Sequence, residues 1–230
     1  MGMVEVTGEI VPNDYGWIYD WFGIDYTTPN KIKDAINALE DGEELEVRIN
    51  SYGGDVASGQ EIYSLLQTVQ NCTAKIMGMA ASAAGFLAMG AGRVEISTVG
   101  TIMVHNVSVG GVSGDYHEMD KASEMLQSMN AAIAGAFVAK SGKSEEEILE
   151  MMDRETWLTA NQAVSMGICD AIIGGAKTQP GKYSNALFGM SITPEMIEEA
   201  KTAKAKQEKE AQDRARVAAD LTADLDLFGV

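Results

Sequence analysis

Cysteine, histidine and basic side chains are all scarce in this chain of 230 residues. Two cysteines, Cys72 and Cys169, are too few for a disulfide framework or a metal cage, so we expect buried thiols in a reducing compartment, with no metal and no cofactor. The 17 Lys and Arg against 34 Asp and Glu argue against a nucleic-acid-binding surface, because phosphate contacts need clustered cations. Two histidines leave few candidates for a base at neutral pH.

Long apolar runs are also missing. No stretch approaches membrane-spanning length, and no N-terminal charged-then-apolar signal pattern is present, so we expect a soluble, cytoplasmic protein with no membrane partner. A hydrophobic content of 46% in 230 residues can bury one substantial core with an extension. The composition predicts one domain over residues 1–176, a linker rich in Gly, Pro, Ser and Asn over 177–192, and a charged helical or disordered extension over 193–230.

Strand and helix patterns alternate along the predicted domain with short links between them. This order predicts right-handed β-α-β crossovers and a parallel sheet, which makes the fold class α/β. Apolar periodicity predicts strands at 3–11, 45–50, 74–79, 93–96 and 101–104, and helices after the Thr28 cap and at 56–69, 82–89 and 115–141. The last of these helices carries apolar residues along its length, and either core packing or a methionine-rich binding surface would account for them.

Aromatic residues cluster between Tyr15 and Tyr26. Tyr15, Trp17, Tyr19 and Trp21 alternate along the chain, which would place them on one face of an extended segment. Two interpretations remain open: an aromatic loop folded over its own core, or a subunit interface or lid, because Tyr and Trp are enriched in contacts between chains.

Three short stretches carry the residue types of a hydrolytic site. Ser82 lies among alanines where a strand runs into a helix, so its hydroxyl could lie open beside free amides, although small residues also serve tight helix packing. The Gly53-Gly54 pair frees backbone N–H groups to point at a ligand oxygen. His105 ends an apolar strand and is either a base for the serine or a core histidine. We interpret His117, which lies among polar residues, as a solvated surface group.

Five stretches in the same order resemble the proteolytic subunit of the Clp protease, over about residues 3 to 174. They are Ile49-Asn50-Ser51-Tyr52-Gly53-Gly54, Gly78-Met79-Ala80-Ala81-Ser82, Met103-Val104-His105-Asn106, Trp157-Leu158-Thr159-Ala160-Asn161-Gln162-Ala163 and Met166-Gly167-Ile168-Cys169-Asp170. The resemblance implies a ClpP/crotonase-like fold of stacked ββα units, with the helix at 115–141 as the handle that joins rings.

By the same resemblance, the protein is a serine endopeptidase that works through an acyl-enzyme. Ser82 would attack and His105 would carry the proton. Glu155 stands where the family usually has Asp and would orient His105, with Asp153 as the alternative.

The resemblance also assigns backbone roles. The amides of Gly54 and Ala83 would hold the oxyanion, and the segment with Gly110 and Gly111 would pair with the substrate backbone. Tyr52 replaces the family's usual Pro before the glycine pair.

The resemblance also predicts the partners. We expect a homo-oligomeric ring, heptameric and possibly stacked, that acts on peptide or protein substrates. The chain enters its first strand almost at once, without room for axial loops, so we expect no AAA+ unfoldase partner.

A Clp-like domain with a charged extension resembles the head maturation proteases of phages and prophages. Such a protease would cleave scaffold or capsid proteins and itself, without ATP, inside a procapsid or the bacterial host cytoplasm. The alternatives are a housekeeping Clp subunit, a crotonase-type acyl-CoA enzyme and a non-catalytic assembly protein.

Overall fold

The computed structural model describes residues 1–174 and 193–228, with side chains through residue 214. The predicted linker over 177–192 therefore lies outside the described residues. Within the described residues, no helix is both long enough and apolar enough to cross a bilayer.

One mostly parallel sheet organises the described residues. Its strands are β1 (Gly2–Ile10), β2 (Tyr26–Thr27), β3 (Leu45–Gly54), β4 (Cys72–Ala81), β5 (Arg93–Ile96), β6 (Thr101–Val104), β7 (Thr156–Thr159) and β8 (Ala171–Ile172). The order β2-β1-β3-β4-β5-β8 is parallel throughout, and β6 pairs with the last residues of β4. The predicted α/β fold with a parallel sheet is confirmed, and one antiparallel pair, β6 with β7, is added to it.

Helices connect these strands and cover the core. They are α1 (Gly16–Phe22), α2 (Pro29–Asn37), α3 (Val56–Gln67), α4 (Ala83–Ala88), α5 (Tyr116–Ser141), α6 (Glu145–Asp153), α7 (Ala160–Ser165) and α8 (Pro194–Phe228). Side chains cap several of them as the sequence predicts, because the first N–H groups of a helix lack acceptors within the helix. Thr28 caps α2, and Ser144 forms a capping box with Glu147 on α6.

The main core lies between the sheet and helices α2, α3, α4 and α5. Strand residues such as Val47, Ile49 and Ile76 are fully buried there, and Leu66 and Leu87 meet them from the helices. Burial of such apolar side chains is the main favourable term in folding, at about 1.5–3 kcal/mol for each large one. The core therefore fixes the edge at which β3, β4 and β6 all end.

A second, smaller cluster surrounds α1 and corrects the expectation for the aromatic segment. Residues 16–22 are helical, so the alternation of aromatic residues is not that of an extended strand. Ile18 and Tyr19 are buried against Val11, and Ala200 from the start of α8 closes the cluster. The start of α8 is therefore part of the cluster in which Tyr19 is buried.

The long helix α5 departs from the core-packing interpretation over half of its length. Its buried residues are Ile133, Ala134, Ala136 and Phe137, all in the C-terminal half. Met119 and Met125 in the N-terminal half are exposed. A helix of 26 residues is about 39 Å long, and none of its residues 116–128 is buried.

Candidate active site

Ser82 occupies a strained turn between β4 and α4. Its backbone dihedrals, φ 53° and ψ −123°, lie outside the regions that residues other than glycine normally adopt, at a cost of order 1–3 kcal/mol. Backbone hydrogen bonds hold the turn: the Ser82 N–H donates to the Met103 carbonyl at 3.0 Å, and the Ser82 carbonyl accepts from Gly85 N–H at 2.9 Å. The turn directs the hydroxyl out of the sheet edge instead of into the first turn of α4.

The pairing of β4 with β6 brings His105 to this hydroxyl. Ala81 lies opposite Met103 in a parallel register, so the next residues of both strands leave the sheet at the same edge. His105 Nε2 lies 2.7 Å from Ser82 Oγ, a hydrogen-bond distance. With the ring proton on Nδ1, Nε2 accepts the hydroxyl hydrogen, which is the arrangement that general-base activation of a serine requires.

The glycine pair at the end of β3 lies against the serine turn. Gly53 and Gly54 have φ of 104° and 146°, in the region that favours glycine. A Cβ at Gly53 would lie 2.8 Å from Ser82 Cβ and 2.9 Å from the Ala83 nitrogen, so only glycine permits this approach. Ala83 is the first residue of α4, so its N–H has no acceptor within the helix. The oxyanion roles of Gly54 and Ala83 stay predictions.

A pocket of about 80 Å³ opens beside the Ser82 hydroxyl and the His105 ring. Apart from Ser108, the other residues that line it have apolar side chains or, at Gly54, no side chain. The lining residues besides Ser82 and His105 are Gly54, Val56, Phe86, Val104, Val107, Ser108, Ile133 and Phe137. Apart from Gly54, sequence reasoning did not assign these wall residues to the site. They come from four separate elements and one loop, and apolar spacing within one helix does not show which cavity a side chain lines.

The two carboxylates proposed to orient His105, those of Glu155 and Asp153, have different surroundings. The antiparallel register of β6 with β7 ends at Val104 opposite Thr156, so Glu155 is the next residue beside His105. Its carboxylate accepts from Trp157 Nε1 at 3.4 Å, and its backbone has a positive φ of 49°. Among the described residues, the side-chain hydrogen bond of the His105 ring is with Ser82 alone. The orienting role of Glu155 stays a prediction.

Asp153 meets the neighbour of the histidine. Its Oδ1 accepts from Asn106 Nδ2 at 2.8 Å, which ties the end of α6 to the residue after His105. Sequence reasoning named Asn106 within the stretch Met103-Val104-His105-Asn106 but gave it no role of its own.

The predicted substrate strand is not a strand in this chain by itself. Residues 105–112 have no regular secondary structure, and Gly110 and Gly111 are exposed with open space around them. Beyond His105, the residues of this segment that line the pocket are Val107 and Ser108. An extended segment of this kind forms backbone hydrogen bonds of a β-sheet only when a partner strand, such as a substrate peptide, is bound. The role of Gly110 and Gly111 in substrate binding therefore stays a prediction.

The cysteines and the second histidine lie outside the site. Burial raises the pKa of the Cys72 thiol to about 11 and that of Cys169 to about 12, which suppresses the thiolate form. His117 is exposed in the first turn of α5. Within the described part of the chain, no group of three or more His, Cys, Asp or Glu side chains is arranged to hold a metal.

Comparison with known proteins gives a consistent result. A family model described as Clp protease matches residues 23–176. The ATP-dependent Clp protease proteolytic subunit 2 of Cutibacterium acnes is 32% identical over 153 residues, which cover 65% of this chain and 72% of that protein. The ATP-dependent Clp protease proteolytic subunit 1 of Chlamydia trachomatis is 30% identical over 136 residues, which cover 57% of this chain and 71% of that protein. The ATP-dependent Clp protease proteolytic subunit of Bacteroides fragilis is 27% identical over 141 residues, which cover 60% of this chain and 68% of that protein.

Proposed function

Because this chain belongs to the Clp protease family, we propose that it is a serine endopeptidase that hydrolyses peptide bonds through an acyl-enzyme on Ser82. Family membership makes it a peptidase, and the serine mechanism is the step that the proposal adds. The observation that carries the proposal is the 2.7 Å contact between Ser82 Oγ and His105 Nε2 at a strained turn.

The chemistry proceeds in two halves. Ser82 Oγ attacks the scissile carbonyl carbon while His105 Nε2 takes the hydroxyl proton, and the carbonyl oxygen becomes an oxyanion next to the amides of Gly54 and Ala83. His105 then gives the proton to the leaving amine nitrogen as the C–N bond breaks, which leaves an ester on Ser82. A water molecule, deprotonated by His105, hydrolyses that ester and restores the hydroxyl.

Peptide hydrolysis tests this assignment directly. We expect the protein to cleave a fluorogenic peptide, and we expect Ser82→Ala and His105→Ala each to lower kcat by about 10³-fold or more, because the nucleophile and its base act as a unit. Ser97→Ala, a serine in the turn after β5, is the matched control and should leave kcat unchanged. Equal activity of Ser82→Ala and the parent chain would refute the proposal.

Two other functions would give different results with the same purified protein. A crotonase-type enzyme uses a similar amide-based oxyanion site but needs a CoA pocket, so calorimetry should detect thioester binding. A non-catalytic assembly protein should retain its biological activity in Ser82→Ala. We expect neither thioester binding nor retained activity.

The more specific role that we propose is maturation of a phage or prophage head. Its support is α8, a charged helix that starts 18 residues after the family match ends at residue 176 and is therefore an addition to the peptidase. Such an extension would carry the enzyme to scaffold or capsid proteins or be removed by self-cleavage. Co-expression with candidate scaffold and capsid proteins should yield cleaved products by mass spectrometry, and Ser82→Ala should yield none.

The housekeeping role is the competing assignment, since the relatives named above are subunits of ATP-dependent proteases. We propose that this chain degrades its substrates without an unfoldase. A degradation assay with and without ATP and a AAA+ unfoldase separates the two roles. Strong stimulation by the unfoldase would contradict independent action.

A further inference from the structure

The start of α8 is the least expected contact in the fold, because the sequence predicted a solvated extension. Ala200 is completely buried, and Ile197 packs against the same cluster. Lys204 Nζ lies 4.1 Å from the centre of the Trp17 ring, a cation–π distance. Side chains 205–214 are all exposed, so among the α8 side chains that the structure describes, those that meet the body lie in the first three turns.

Tyr19 lies in the buried cluster that the start of α8 joins. It is 5% exposed, lies in the cluster with Ala200, and stacks at a tilt on Tyr26 with ring centres 5.4 Å apart. Its hydroxyl donates to Glu9 Oε2 at 2.6 Å. Burial and the neighbouring carboxylate raise the pKa of the phenol, so it remains a donor at all physiological pH.

Glu9 lies directly opposite the candidate oxyanion turn. In the pairing of β1 with β3, Glu9 is the partner of Gly53 and Ile10 the partner of Gly54, after a register shift at Gly8. The Ser51 hydroxyl donates to the Gly8 carbonyl at 2.6 Å and accepts from Gly53 N–H at 3.1 Å. The end of β1 is therefore hydrogen-bonded into the turn whose other side touches Ser82.

A continuous series of contacts thus connects α8 with the serine. Ala200 and Tyr19 share one buried cluster, and the Tyr19 hydroxyl donates to Glu9. Glu9 is the strand partner of Gly53, and Gly53 lies against Ser82 and the Ala83 nitrogen. Displacement of a reacting group by about 1 Å can cost about 10²-fold in rate, so support of this turn has a catalytic consequence.

We propose that the first turns of α8 and Tyr19 form a positioning element for the oxyanion turn, in which α8 keeps the Tyr19 hydroxyl on Glu9 and Glu9 supports Gly53 and Gly54. This role rests on the proposed peptidase function and adds a means of regulation to it. Displacement of α8, by a partner that binds it or by cleavage before it, lowers turnover without touching the serine or the histidine.

Two tyrosines provide a matched test. Tyr19→Phe removes only the hydroxyl that binds Glu9, whereas Tyr26→Phe removes a hydroxyl from the same cluster that binds Asp20 instead. With a fluorogenic peptide, we expect Tyr19→Phe to lower kcat about 10-fold with KM changed less than about 2-fold, and Tyr26→Phe to change neither. Glu9→Gln keeps an acceptor and should retain most of the activity, while Glu9→Ala should reproduce Tyr19→Phe.

A second pair of variants addresses α8 in the full chain. Ala200→Glu places a carboxylate in the buried cluster, and Ala205→Glu makes the same change at an exposed site one turn further on. We expect Ala200→Glu to lower kcat about 10-fold and to speed hydrogen exchange in residues 50–54, and Ala205→Glu to do neither. Tyr19→Phe and Ala200→Glu act on one series of contacts. The double variant should therefore have a kcat only slightly lower than that of either single variant.

The outcomes separate this inference from the proposed function. An inactive parent protein that fails to cleave any peptide would overturn the peptidase assignment itself. An active parent in which Tyr19→Phe and Ala200→Glu behave like their controls would overturn the positioning role alone. Loss of the folded state in Ala200→Glu, visible by circular dichroism, leaves Tyr19→Phe against Tyr26→Phe as the deciding comparison.

Discussion

The carboxylate beside His105 is the first question at the scale of single residues. If Glu155 stabilises the imidazolium, Glu155→Gln should lower kcat by about 10² to 10⁴-fold, because a neutral amide can orient the ring but cannot compensate its charge. Asp153→Asn keeps the hydrogen bond to Asn106 and should cost much less. Steady-state kinetics of both variants on one peptide decide between them, and a larger loss in Asp153→Asn would transfer the role to Asp153.

The uncharged side chains that line the pocket beside Ser82 predict which side chain is accepted next to the cleaved bond. Phe86, Ile133 and Phe137 offer no charged partner, and burial of an unpaired charge is costly. We expect peptides with leucine at this position to exceed otherwise identical peptides with aspartate or lysine by at least about 10-fold in kcat/KM. A library of fluorogenic peptides varied at that position provides the measurement, and preferential cleavage after a charged residue would be inconsistent with this pocket as the binding site.

Glu46 makes folding stability depend on pH. Hydrogen bonds from Lys75 and Arg48 lower the pKa of this carboxyl, which is only 5% exposed. The unfolded chain then binds the proton at a higher pH than the folded protein does. The stabilisation is therefore complete above the unfolded pKa and is lost as the pH falls through the folded value.

Glu46→Gln should remove this dependence. We expect the variant to lose stability less steeply than the parent chain between about pH 5 and pH 3, as measured by urea unfolding at several pH values. Glu5→Gln, on the exposed surface of the neighbouring strand, removes one carboxylate as a control. Parallel stability profiles for Glu46→Gln and the parent chain would contradict the assignment.

The sequence could indicate the residues that the structure brings together at this site, but not their surroundings. Ser82, His105 and Gly53 follow strands whose apolar patterns are clear, and a parallel sheet brings such strand ends to one edge. The contact between Tyr19 and Glu9 could not be predicted. It depends on helix α1, whereas the alternation of aromatic residues suggested an extended strand in that segment. Local spacing does not reveal which distant element, here α8, supplies the covering residue.

At the scale of helices and strands, two glycines show how packing decides the effect of one substitution. Gly59 in α3 faces α4, where a Cβ would lie 2.7 Å from Phe86 Cζ and 3.2 Å from Ala83 Cβ. Gly135 in α5 has nothing within 4 Å of the same position. Both are helical, so alanine gains about 0.5–1 kcal/mol of helix propensity at either site.

We expect the two alanine substitutions to have opposite signs. Gly135→Ala should raise the free energy of unfolding by about 0.5–1 kcal/mol, while overpacking in Gly59→Ala should lower it by about 1–3 kcal/mol. Gly59→Ala should also reduce peptidase turnover, because it pushes the start of α4 that carries Ser82. Chemical denaturation and kinetics measure both effects, and equal stabilisation by the two changes would show that α3 and α4 are not packed this closely.

Most helices and strands could be predicted to within a few residues because caps and periodicity agree. Strands β5 and β6 have the predicted bounds, and α2 begins after the predicted Thr28 cap. The N-terminal half of α5 differs, since its methionines follow a helical pattern without a core beneath them. Periodicity shows which face of a helix is apolar and leaves open whether a core or another chain covers it.

At the scale of the whole molecule, the exposed half of α5 leads us to expect self-association. Tyr116, Met119 and Met125 are 69%, 39% and 48% exposed, in the half of α5 that has no buried residue. Exposed apolar side chains in such a group mark contacts between proteins more often than isolated ones do. With the family assignment, this favours a homo-oligomer in which α5 lies between subunits.

Charge placed on that helix should weaken the assembly. We expect Met119→Glu combined with Met125→Glu to shift native mass spectra toward smaller species, and Gln127→Glu, which adds charge at an exposed polar site of the same helix, to leave the assembly intact. A parent chain that is monomeric at micromolar concentration would refute the expectation.

The central claim is that Ser82 is a nucleophile activated by His105, and covalent labelling tests it most directly. A fluorophosphonate reacts with an activated serine hydroxyl, so intact-protein and peptide mass spectrometry should find one adduct, on Ser82. The adduct should be absent in Ser82→Ala and should form at least about 10²-fold more slowly in His105→Ala. A folded protein that acquires no adduct, or acquires it equally in Ser82→Ala, would contradict the account.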